Sequence, residues 1–356
     1  MKRKKHANPG WQAVLISGVA VLLLAACQTA YASTPVTAFA TTSTPQASPI
    51  SPASPTIPAN STPSPKAMLP VTGLNPNANP SPTAPRAVPN FSHVIVFILE
   101  NKEYTSVVGN TQMPYFNTLA RQYTLLTHYF AISHPSLPNY IALVGGDTLG
   151  ITSDCSKCWV NSPNLADLIE SAGLTWRTYQ ESMPSPCDTS DNSLYAHRHD
   201  PFIYFDDIRT NAARCQNGIV PLTALDSDLA NNSLPDFSFI VPNLCNSSHN
   251  CALSVTDAWL NTWVTKVMAS QAYDQHTLIV VTWDEGQSNQ TCCGFSSGGG
   301  RVAIVLISPL VRQGFRDNTS YTHYSLLKTI AESWGLQALG QAADAQVSLI
   351  AAPFEK

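Results

Sequence analysis

One serine stands where its hydroxyl group could act as a nucleophile. Ser136 lies in the stretch AISHPSLPNYIALVGG, where prolines and polar side chains give way to an apolar helix. The start of a helix presents free backbone N–H groups and a partial positive charge, which suit a phosphate group. A base or a metal that lowers the pKa of this hydroxyl would make it a nucleophile. Ser-Leu-Pro is also an ordinary helix start, so the prediction depends on the residues around it.

The first turn of the same predicted helix carries two more polar side chains. Asn139 and Tyr140 follow Ser136 by three and four positions. Residues three and four apart lie on the same side of a helix. We therefore predict that Asn139 and Tyr140 bind a nonbridging phosphate oxygen or orient a neighbouring group.

Two polar pairs follow long apolar runs. Glu100 and Asn101 come after HVIVFIL, and Asp284 and Glu285 come after TLIVVTW. Neighbouring carboxylates repel each other unless a cation or protons compensate their charge. The pattern predicts that these four residues bind one divalent metal ion: Mg²⁺, Ca²⁺ or Mn²⁺ suit oxygen ligands, and zinc remains open. A cluster that only caps helices or faces solvent is the alternative.

Four histidines lie in loops beside predicted strand or helix ends. They are His134, His199, His249 and His323, and their shared placement favours a functional role more than the position of any one of them would alone. An ordinary histidine pKa of about 6.5 would make them cationic in mild acid, where they would attract a phosphomonoester dianion.

A second serine motif is a weaker candidate. The stretch GFSSG, which begins at Gly294, matches the G-x-S-x-G pattern of hydrolase nucleophiles. That pattern needs a strand before it and a helix after it. Here two cysteines precede the stretch and a predicted strand follows, so it is expected to be a glycine-rich loop.

The spacing of apolar residues predicts the elements that position these groups. Continuous apolar or β-branched runs start at His93, Thr124, Leu174, Asp236, Thr277 and Val302, and helical patterns start at Pro114, Pro138, Asn164, Thr256 and His323. This alternation predicts an α/β fold, a three-layer sandwich around a mostly parallel central sheet. Sites in such sheets lie at the carboxyl ends of the strands, where the polar pairs fall.

The first ninety residues do not read as part of the folded domain. Residues 1–27 combine a basic start, an apolar core and Leu-Ala-Ala-Cys, the pattern of a lipoprotein-type signal peptide with Cys27 as the lipidated residue. Residues 28–90 are rich in Ser, Thr and Pro, which predicts a disordered tether. Residues 91–356 form the predicted catalytic domain. The expected location is outside the cytoplasm, on the cell surface through a membrane anchor at Cys27 or free in the medium, and an ordinary cleaved signal is the alternative.

Charge and cysteine content narrow the function further. The net charge of −4 is spread along the chain and offers no basic stripe for nucleic acid. Besides Cys27 there are eight cysteines, which in an exported protein predict disulfides. Cys245 and Cys251 make the easiest pair, and zinc binding through Cys155 and Cys158 is the alternative.

The motifs taken together resemble the bacterial phosphoesterase family, which includes secreted acid phosphatases and phospholipases C within the alkaline-phosphatase-like superfamily. The matching stretches are FILENKEYTSVVG, SHPSLPNYIALVGG, HDPFIYFDDI, VPNLCNSSHNC with TDAWL, VVTWDEG and THYSLLKTI. The resemblance implies an alkaline-phosphatase-like fold and a phosphoserine formed at Ser136. It also implies that Glu100, Asn101, Asp284 and Glu285 surround the metal ion. The same resemblance implies that the four histidines bind substrate or transfer protons.

The chain departs from related patterns at two positions. Similar sequences often carry an acidic residue where this chain has Ser247, so no metal or acid role is assigned to that loop here. Sulfatases need an arginine four positions after the modified residue, and this chain has Tyr140 there. The sequence therefore predicts a metal-dependent phosphoric ester hydrolase, in particular an acid phosphatase acting on phosphomonoesters. A phospholipase C and a catalytically inactive surface-binding lipoprotein are the alternatives, and the oligomeric state stays open.

Overall fold

The structure is a computed structural model that describes residues 86–296 and 298–355. The predicted signal peptide, Cys27 and the tether up to residue 85 lie outside the described residues, so the predictions made for them stay predictions. Val88 is already buried in the core, close to the start of the first strand.

Within the described ranges, eight strands form one sheet. The strands are β1 (His93–Leu99), β2 (Thr124–Phe130), β3 (Trp176–Gln180), β4 (Ile219–Pro221), β5 (Phe237–Val241), β6 (Thr277–Trp283), β7 (Ile304–Ile307) and β8 (Arg316–Thr322). Their order across the sheet is β4-β3-β5-β1-β6-β7-β2-β8. Only β7 runs antiparallel to its neighbours, β6 and β2.

All six predicted strands are present, and the mostly parallel sheet is confirmed. Every residue of β5 and β6 is buried, because helices cover both faces of the centre of the sheet. The β-branched and apolar side chains of these strands pack on both sides, as the continuous apolar pattern predicts. Two strands were not predicted, the three-residue β4 and the polar β8.

Helices pack on the sheet in two groups. The helices are α1 (Tyr104–Val107), α2 (Pro114–Gln122), α3 (Ser136–Gly145), α4 (Leu165–Ser171), α5 (Asp206–Arg209), α6 (Ala212–Gly218), α7 (Thr223–Ala230), α8 (Leu253–Met268) and α9 (His323–Ser333). Short 3-10 turns span His197–His199, Pro201–Tyr204, Gly340–Ala343 and Ala352–Phe354. Helix α2 packs against α8, and α3 packs against α4 and α9.

Helix α3 is held firmly at its far end. It ends at Gly146, which has a φ of 73°. A Cβ atom there would lie 2.2 Å from the Leu339 carbonyl oxygen, so only glycine fits. The fixed end and the buried body of α3 determine where Ser136, its first residue, lies.

The eight cysteines of the domain form four disulfides. The pairs are Cys155–Cys158, Cys187–Cys215, Cys245–Cys251 and Cys292–Cys293. The predicted Cys245–Cys251 pair is confirmed. Cys155 and Cys158 are bonded to each other, so the structure gives them a disulfide in place of the zinc alternative. No helix within the described ranges combines the length and apolar character needed to cross a bilayer.

Candidate active site

The centre of the sheet brings the two polar pairs together. Leu99 at the end of β1 is in register with Trp283 at the end of β6. Glu100 and Asp284 come directly after these residues, so they lie side by side at the carboxyl edge. The Asn101 backbone N–H donates to Asp284 Oδ1 at 3.1 Å. The strand register therefore explains why residues almost two hundred positions apart share one site.

Ser136 reaches the same place from α3. Its hydroxyl is within hydrogen-bond distance of Glu100 Oε2 (3.2 Å), Asn101 Oδ1 (3.3 Å) and Glu285 Oε1 (3.2 Å). A hydroxyl has one proton to donate, so it cannot satisfy the carboxyl groups of Glu100 and Glu285 at once, and ionisation of either places negative charge next to its oxygen. This environment favours removal of the proton only when positive charge is also present.

Glu285 joins Ser136 to the first of the four histidines. Its second oxygen, Oε2, is in direct contact with His134 Nδ1. The other ring nitrogen of His134 lies 3.0 Å from the Ser288 carbonyl oxygen. Ser136, Glu285 and His134 thus form a continuous hydrogen-bonded chain that ends at a partly exposed imidazole.

Burial makes the carboxylates of the site difficult to ionise. Burial, with Glu285 nearby, raises the pKa of Glu100 to about 8, although the Tyr140 hydrogen bond opposes the shift. Burial and the charge of Glu100 raise the pKa of Asp284 well above its usual range. Burial also raises the pKa of Glu285, against the opposing effect of His134. A group of this kind needs protons or a cation to be stable.

The donor chemistry fits a hard cation. Asp284 Oδ2 is buried and has no hydrogen-bond partner in the described part of the chain. One end of the Asn101 amide lies 3.0 Å from Glu100 Oε2 and 3.3 Å from both Ser136 Oγ and Asp284 Oδ1. The NH2 group of the amide satisfies these neighbours as a hydrogen-bond donor. If the amide turned over, its oxygen would complete a group of oxygen atoms alone, as Mg²⁺ and Ca²⁺ prefer. Among residues 86–296 and 298–355, no three His, Cys, Asp or Glu side chains converge as ready-made metal ligands, so the fit lies in the donor types.

Asn139 and Tyr140 do not have the free polar groups that substrate binding requires. The Asn139 side chain is fully buried. It accepts from the backbone N–H groups of Ile132 and Ser133 and donates to the carbonyl groups of Ser133 and Pro135. It therefore fixes the loop that leads to Ser136. Tyr140 is also buried and donates its hydroxyl proton to Glu100 Oε1. Of the two roles predicted for Asn139 and Tyr140, these contacts fit the orientation of neighbouring groups and run against direct substrate binding.

His199 and His249 lie together on one side of the carboxylates. His199 Nδ1 is 3.4 Å from Glu100 Oε1, and its ring stacks on Tyr140. The ring centroids of His199 and His249 are 6.2 Å apart. Burial, with Arg198 nearby, lowers the pKa of His199 well below its usual value, so this ring is neutral even in mild acid. His249 is exposed, and its ring Nδ1 lies 2.7 Å from Oδ1 of the neighbouring Asn250.

His323 lies behind the site. Its Nε2 is 2.5 Å from the Asp284 carbonyl oxygen, and its Nδ1 is 2.9 Å from the Tyr129 hydroxyl. Burial lowers its pKa to about 4. With both ring nitrogens engaged, His323 supports the backbone of Asp284, and the structure leaves it no free nitrogen for a substrate. The expectation that His199 and His323 supply positive charge in mild acid is therefore wrong.

Three charged residues near the site were not predicted. Asp154 accepts the Leu137 backbone N–H at 3.0 Å, and Arg198 Nε lies 3.5 Å from its other oxygen. Glu103 accepts the backbone N–H groups of Gln287, Ser288 and Arg301 and so organises the glycine-rich loop. These residues lie in loops or short turns with no periodic pattern, although Arg198 adjoins His199, which was singled out.

The glycine-rich loop itself has the predicted character. Gly294 to Ser296 and Gly298 to Gly300 belong to no helix or strand, and β7 follows them. Ser296, the central serine of the G-x-S-x-G match, lies in this loop, and its neighbour Ser297 lies outside the described residues.

The architecture and the sequence comparisons agree on a class. A crystal structure of a protein in the alkaline phosphatase superfamily from Vibrio parahaemolyticus matches with a TM-score of 0.50 at 14% identity, covering 74% of this chain and 71% of that one. This likeness shows an alkaline-phosphatase-like fold. The chain belongs to the phosphoesterase family, whose sequence model matches residues 104–337.

Two characterised relatives resemble this chain more strongly in sequence. An acid phosphatase of Aspergillus fumigatus is 32% identical over 255 residues, which are 68% of this chain and 55% of the relative. A phosphatidylinositol-3-phosphatase of Mycobacterium tuberculosis is 33% identical over 266 residues, covering 74% of this chain and 83% of the relative. The chain thus spans little more than half the length of the fungal enzyme.

Proposed function

We propose that this protein is a metal-dependent phosphoric ester hydrolase, and specifically an acid phosphatase that cleaves phosphomonoesters through a phosphoserine. The observation that carries the proposal is the position of Ser136 Oγ, 3.2–3.3 Å from oxygen atoms of Glu100, Asn101 and Glu285 at the carboxyl edge of the sheet. Membership in the phosphoesterase family and the names of the two relatives support the same reaction class.

Ser136 is the proposed nucleophile. Its Oγ forms a bond to phosphorus while the bond from phosphorus to the leaving alcohol oxygen breaks. The hydroxyl proton passes to Glu285 Oε1, 3.2 Å away, whose second oxygen is held by His134. In the second half of the reaction a water molecule attacks the phosphoserine, and Glu285 returns the proton to Ser136 Oγ as phosphate leaves.

A histidine completes the proton balance. The leaving alcohol oxygen needs a proton, and His249 is exposed, with its Nδ1 2.7 Å from Oδ1 of the neighbouring Asn250. In the proposal His249 gives this proton and later takes one from the attacking water. His134 acts through Glu285. His199, neutral and stacked on Tyr140, orients Glu100.

One divalent metal ion is part of the proposal. Glu100, Asn101 and Asp284 would hold it, with Glu285 at the edge of the same group. When bound, such an ion supplies Lewis-acid stabilisation of the phosphoryl oxygens and lowers the pKa of a nearby hydroxyl. The unpartnered Asp284 Oδ2 and the raised pKa of each carboxylate support this assignment.

The location of the enzyme is proposed from the sequence. A lipid on Cys27 would anchor it to the membrane, and the Pro-rich segment would hold the domain away from the surface. The four disulfides support export from the cytoplasm.

The test is turnover of matched substrates. The wild type should hydrolyse p-nitrophenyl phosphate faster than bis-p-nitrophenyl phosphate. Ser136→Ala should lower kcat by about 10³-fold or more while retaining the circular dichroism spectrum and Tm of the wild type. Rapid quenching with labelled monoester should leave phosphate on Ser136.

Three results would count against the proposal. A clear preference for the diester would favour a phospholipase C, and inactivity on every ester tried would favour a binding protein. Activity of the alanine variant at a tenth of wild type would show that water attacks phosphorus directly.

A further inference from the structure

A fixed positive charge lies beside the proposed site and is used by no step described above. Arg198 precedes His199 in a 3-10 turn, and His199 Nδ1 is 3.4 Å from Glu100 Oε1. On the other side, Arg198 Nε is 3.5 Å from Asp154 Oδ2, and Asp154 Oδ1 accepts the Leu137 N–H at 3.0 Å. Because Leu137 follows Ser136 directly, Arg198 is linked to the nucleophile from both sides.

The Arg198 guanidinium has hydrogen-bond donors that pair with no group of the described residues. Asp154 is its one acidic partner in the described part of the chain. The Nε atom is buried and makes no hydrogen bond to the described residues. The Arg198 side chain is 24% exposed, so a ligand can reach it. An arginine held next to a reaction centre with donors to spare is suited to bind phosphate oxygens.

The positive charge of Arg198 affects the pKa of Glu100, a carboxyl group of the site. Burial is the largest influence on the pKa of Glu100 and raises it, and Arg198 is among the groups that lower it again. Arg198 provides positive charge that does not depend on pH in the working range, because a guanidinium group stays protonated. A phosphomonoester carries one negative charge more than a diester, so it gains more from this charge.

We infer that Arg198 is a substrate-binding residue that selects phosphomonoesters over phosphodiesters, and that Asp154 is a positioning residue for it. This inference rests on the proposed function, because it names the substrate class of the same site. Asp154 holds the guanidinium beside the start of α3 without contacting the reacting atoms. The acceptor bond to Leu137 ties that position to Ser136.

The experiment compares Arg198→Gln, Arg198→Lys and Asp154→Asn with a matched control. Arg316→Gln serves as the control, since Arg316 is exposed at the start of β8, the end of the strands opposite Ser136. For Arg198→Gln we expect kcat/KM on p-nitrophenyl phosphate to fall about 10²-fold, and on bis-p-nitrophenyl phosphate by less than about tenfold. Arg198→Lys keeps the charge but not the paired donors, so its kcat/KM on the monoester should lie between the values of the wild type and Arg198→Gln.

The role of Asp154 is tested by a double-variant cycle. Asp154→Asn retains an acceptor for Leu137 but loses the ion pair, so it should lower monoester kcat/KM only severalfold. If Asp154 acts through Arg198, the double variant should be no worse than Arg198→Gln alone. Additive losses would overturn the positioning role.

Phosphate binding separates this inference from the proposed function. Calorimetry with inorganic phosphate needs no turnover, and Arg198→Gln should weaken binding at least about tenfold while Arg316→Gln binds as wild type. Unchanged phosphate binding, or an equal loss on both esters, would overturn the inference. A wild type that binds phosphate through Arg198 but cleaves no ester would contradict the proposed function alone. If Arg198→Gln does not fold, Arg198→Lys carries the same comparison.

Discussion

At the scale of single residues, the main feature of the site is a group of buried carboxyl groups whose negative charge has to be balanced. Three buried carboxylates surround one hydroxyl group, and burial raises the pKa of each carboxyl group. The side chains that were expected to bind substrate are used to hold this arrangement in place. Tyr140 bonds Glu100, Asn139 fixes the loop before Ser136, and His323 supports the backbone of Asp284. Their importance is therefore expected to show in metal affinity more than in substrate affinity.

Tyr140→Phe tests this change of role. The variant loses one hydroxyl group that orients Glu100, and such supporting contacts typically contribute 10–100-fold to metal affinity. We expect activity to require about 10–100-fold more divalent metal, with KM for the monoester nearly unchanged at saturating metal. Metal titration of kcat and KM measures both. Tyr115→Phe, which loses only a hydrogen bond to exposed Thr265, is the control. A raised KM at saturating metal would return Tyr140 to substrate binding.

Asp200 gives a pH-dependent stability that the sequence did not indicate. It is fully buried, and neither carboxyl oxygen has a hydrogen-bond partner among the described residues. Burial is the largest influence on its pKa and raises it well above 3.8. The folded state therefore keeps the proton longer than the unfolded state. Its contribution is complete below pH 3.8 and declines, by about 1.4 kcal/mol per pH unit, as the pH rises towards the folded pKa.

Asp200→Asn removes this ionisation with little change of shape. We expect its free energy of unfolding, relative to wild type, to improve steadily from pH 4.5 to 7.5 in urea denaturation. Asp274→Asn is the control: burial alone would raise the pKa of Asp274, but hydrogen bonds from Ser92, the His276 N–H and Thr277 lower it overall. Its deficit should stay constant over the same range. A constant difference for Asp200→Asn as well would show that Asp200 is solvated in the folded protein.

There is a physical reason why some residues of the site could be predicted from the sequence and others could not. Glu100 and Asp284 end apolar strands, and Ser136 starts an apolar helix, so each is marked by a change of pattern. Arg198 and Asp154 lie in irregular segments and meet only through the tertiary fold. Burial lowers the pKa of His199 and His323, and burial cannot be predicted from the sequence of a loop.

At the scale of elements, the apolar pattern of the sequence predicted those strands that are buried on both faces of the sheet. Strands β5 and β6 are buried at every residue, so their sequences are continuously apolar and were predicted. Strand β8 lies at the edge of the sheet, and most of its residues are exposed. Its polar sequence RDNTSYT does not differ enough from a loop, so it was missed.

A buried carboxylate joins two helices, and its removal should destabilise the domain. Asp257 on α8 accepts the backbone N–H groups of Tyr115 and Phe116, both at 2.9 Å, at the start of α2. The side chain of Met113, before α2, forms no cap. Asp257→Ala would leave both N–H groups without a partner, so we expect a loss of about 3 kcal/mol in urea denaturation.

Two further variants make that measurement specific. Asp257→Asn retains one acceptor oxygen and should lose roughly half as much. Asn261→Ala, exposed on the same helix, should change stability by less than about 0.5 kcal/mol. Equal losses in Asp257→Ala and Asn261→Ala would show that helix propensity, and not the cap, is responsible.

At the scale of the whole molecule, the site lies over the middle of the sheet. Strands β1 and β6 are neighbours there, with parallel strands β5 and β3 continuing on one side. Glu100 and Asp284 extend these two central strands, so a cation bound between them would link elements distant in sequence. Such a link stabilises the folded state by mass action, and chelation should therefore be visible in stability as well as in turnover.

Chelation of the wild type should lower both activity and Tm, and a divalent ion should restore both. Binding at about one hundred times Kd adds about 2.7 kcal/mol to the folded state. Glu100→Gln and Asp284→Asn should be inactive, and their Tm should no longer respond to chelator or metal, because each leaves an incomplete set of charged oxygen ligands. Asp344 is an exposed residue that directly follows the 3-10 turn Gly340–Ala343, so the Asp344→Asn variant should respond as wild type. Metal analysis beside scanning calorimetry provides the measurement. Full activity and an unchanged Tm after verified metal removal would show that protons, and not a cation, balance the buried charge of Glu100 and Asp284.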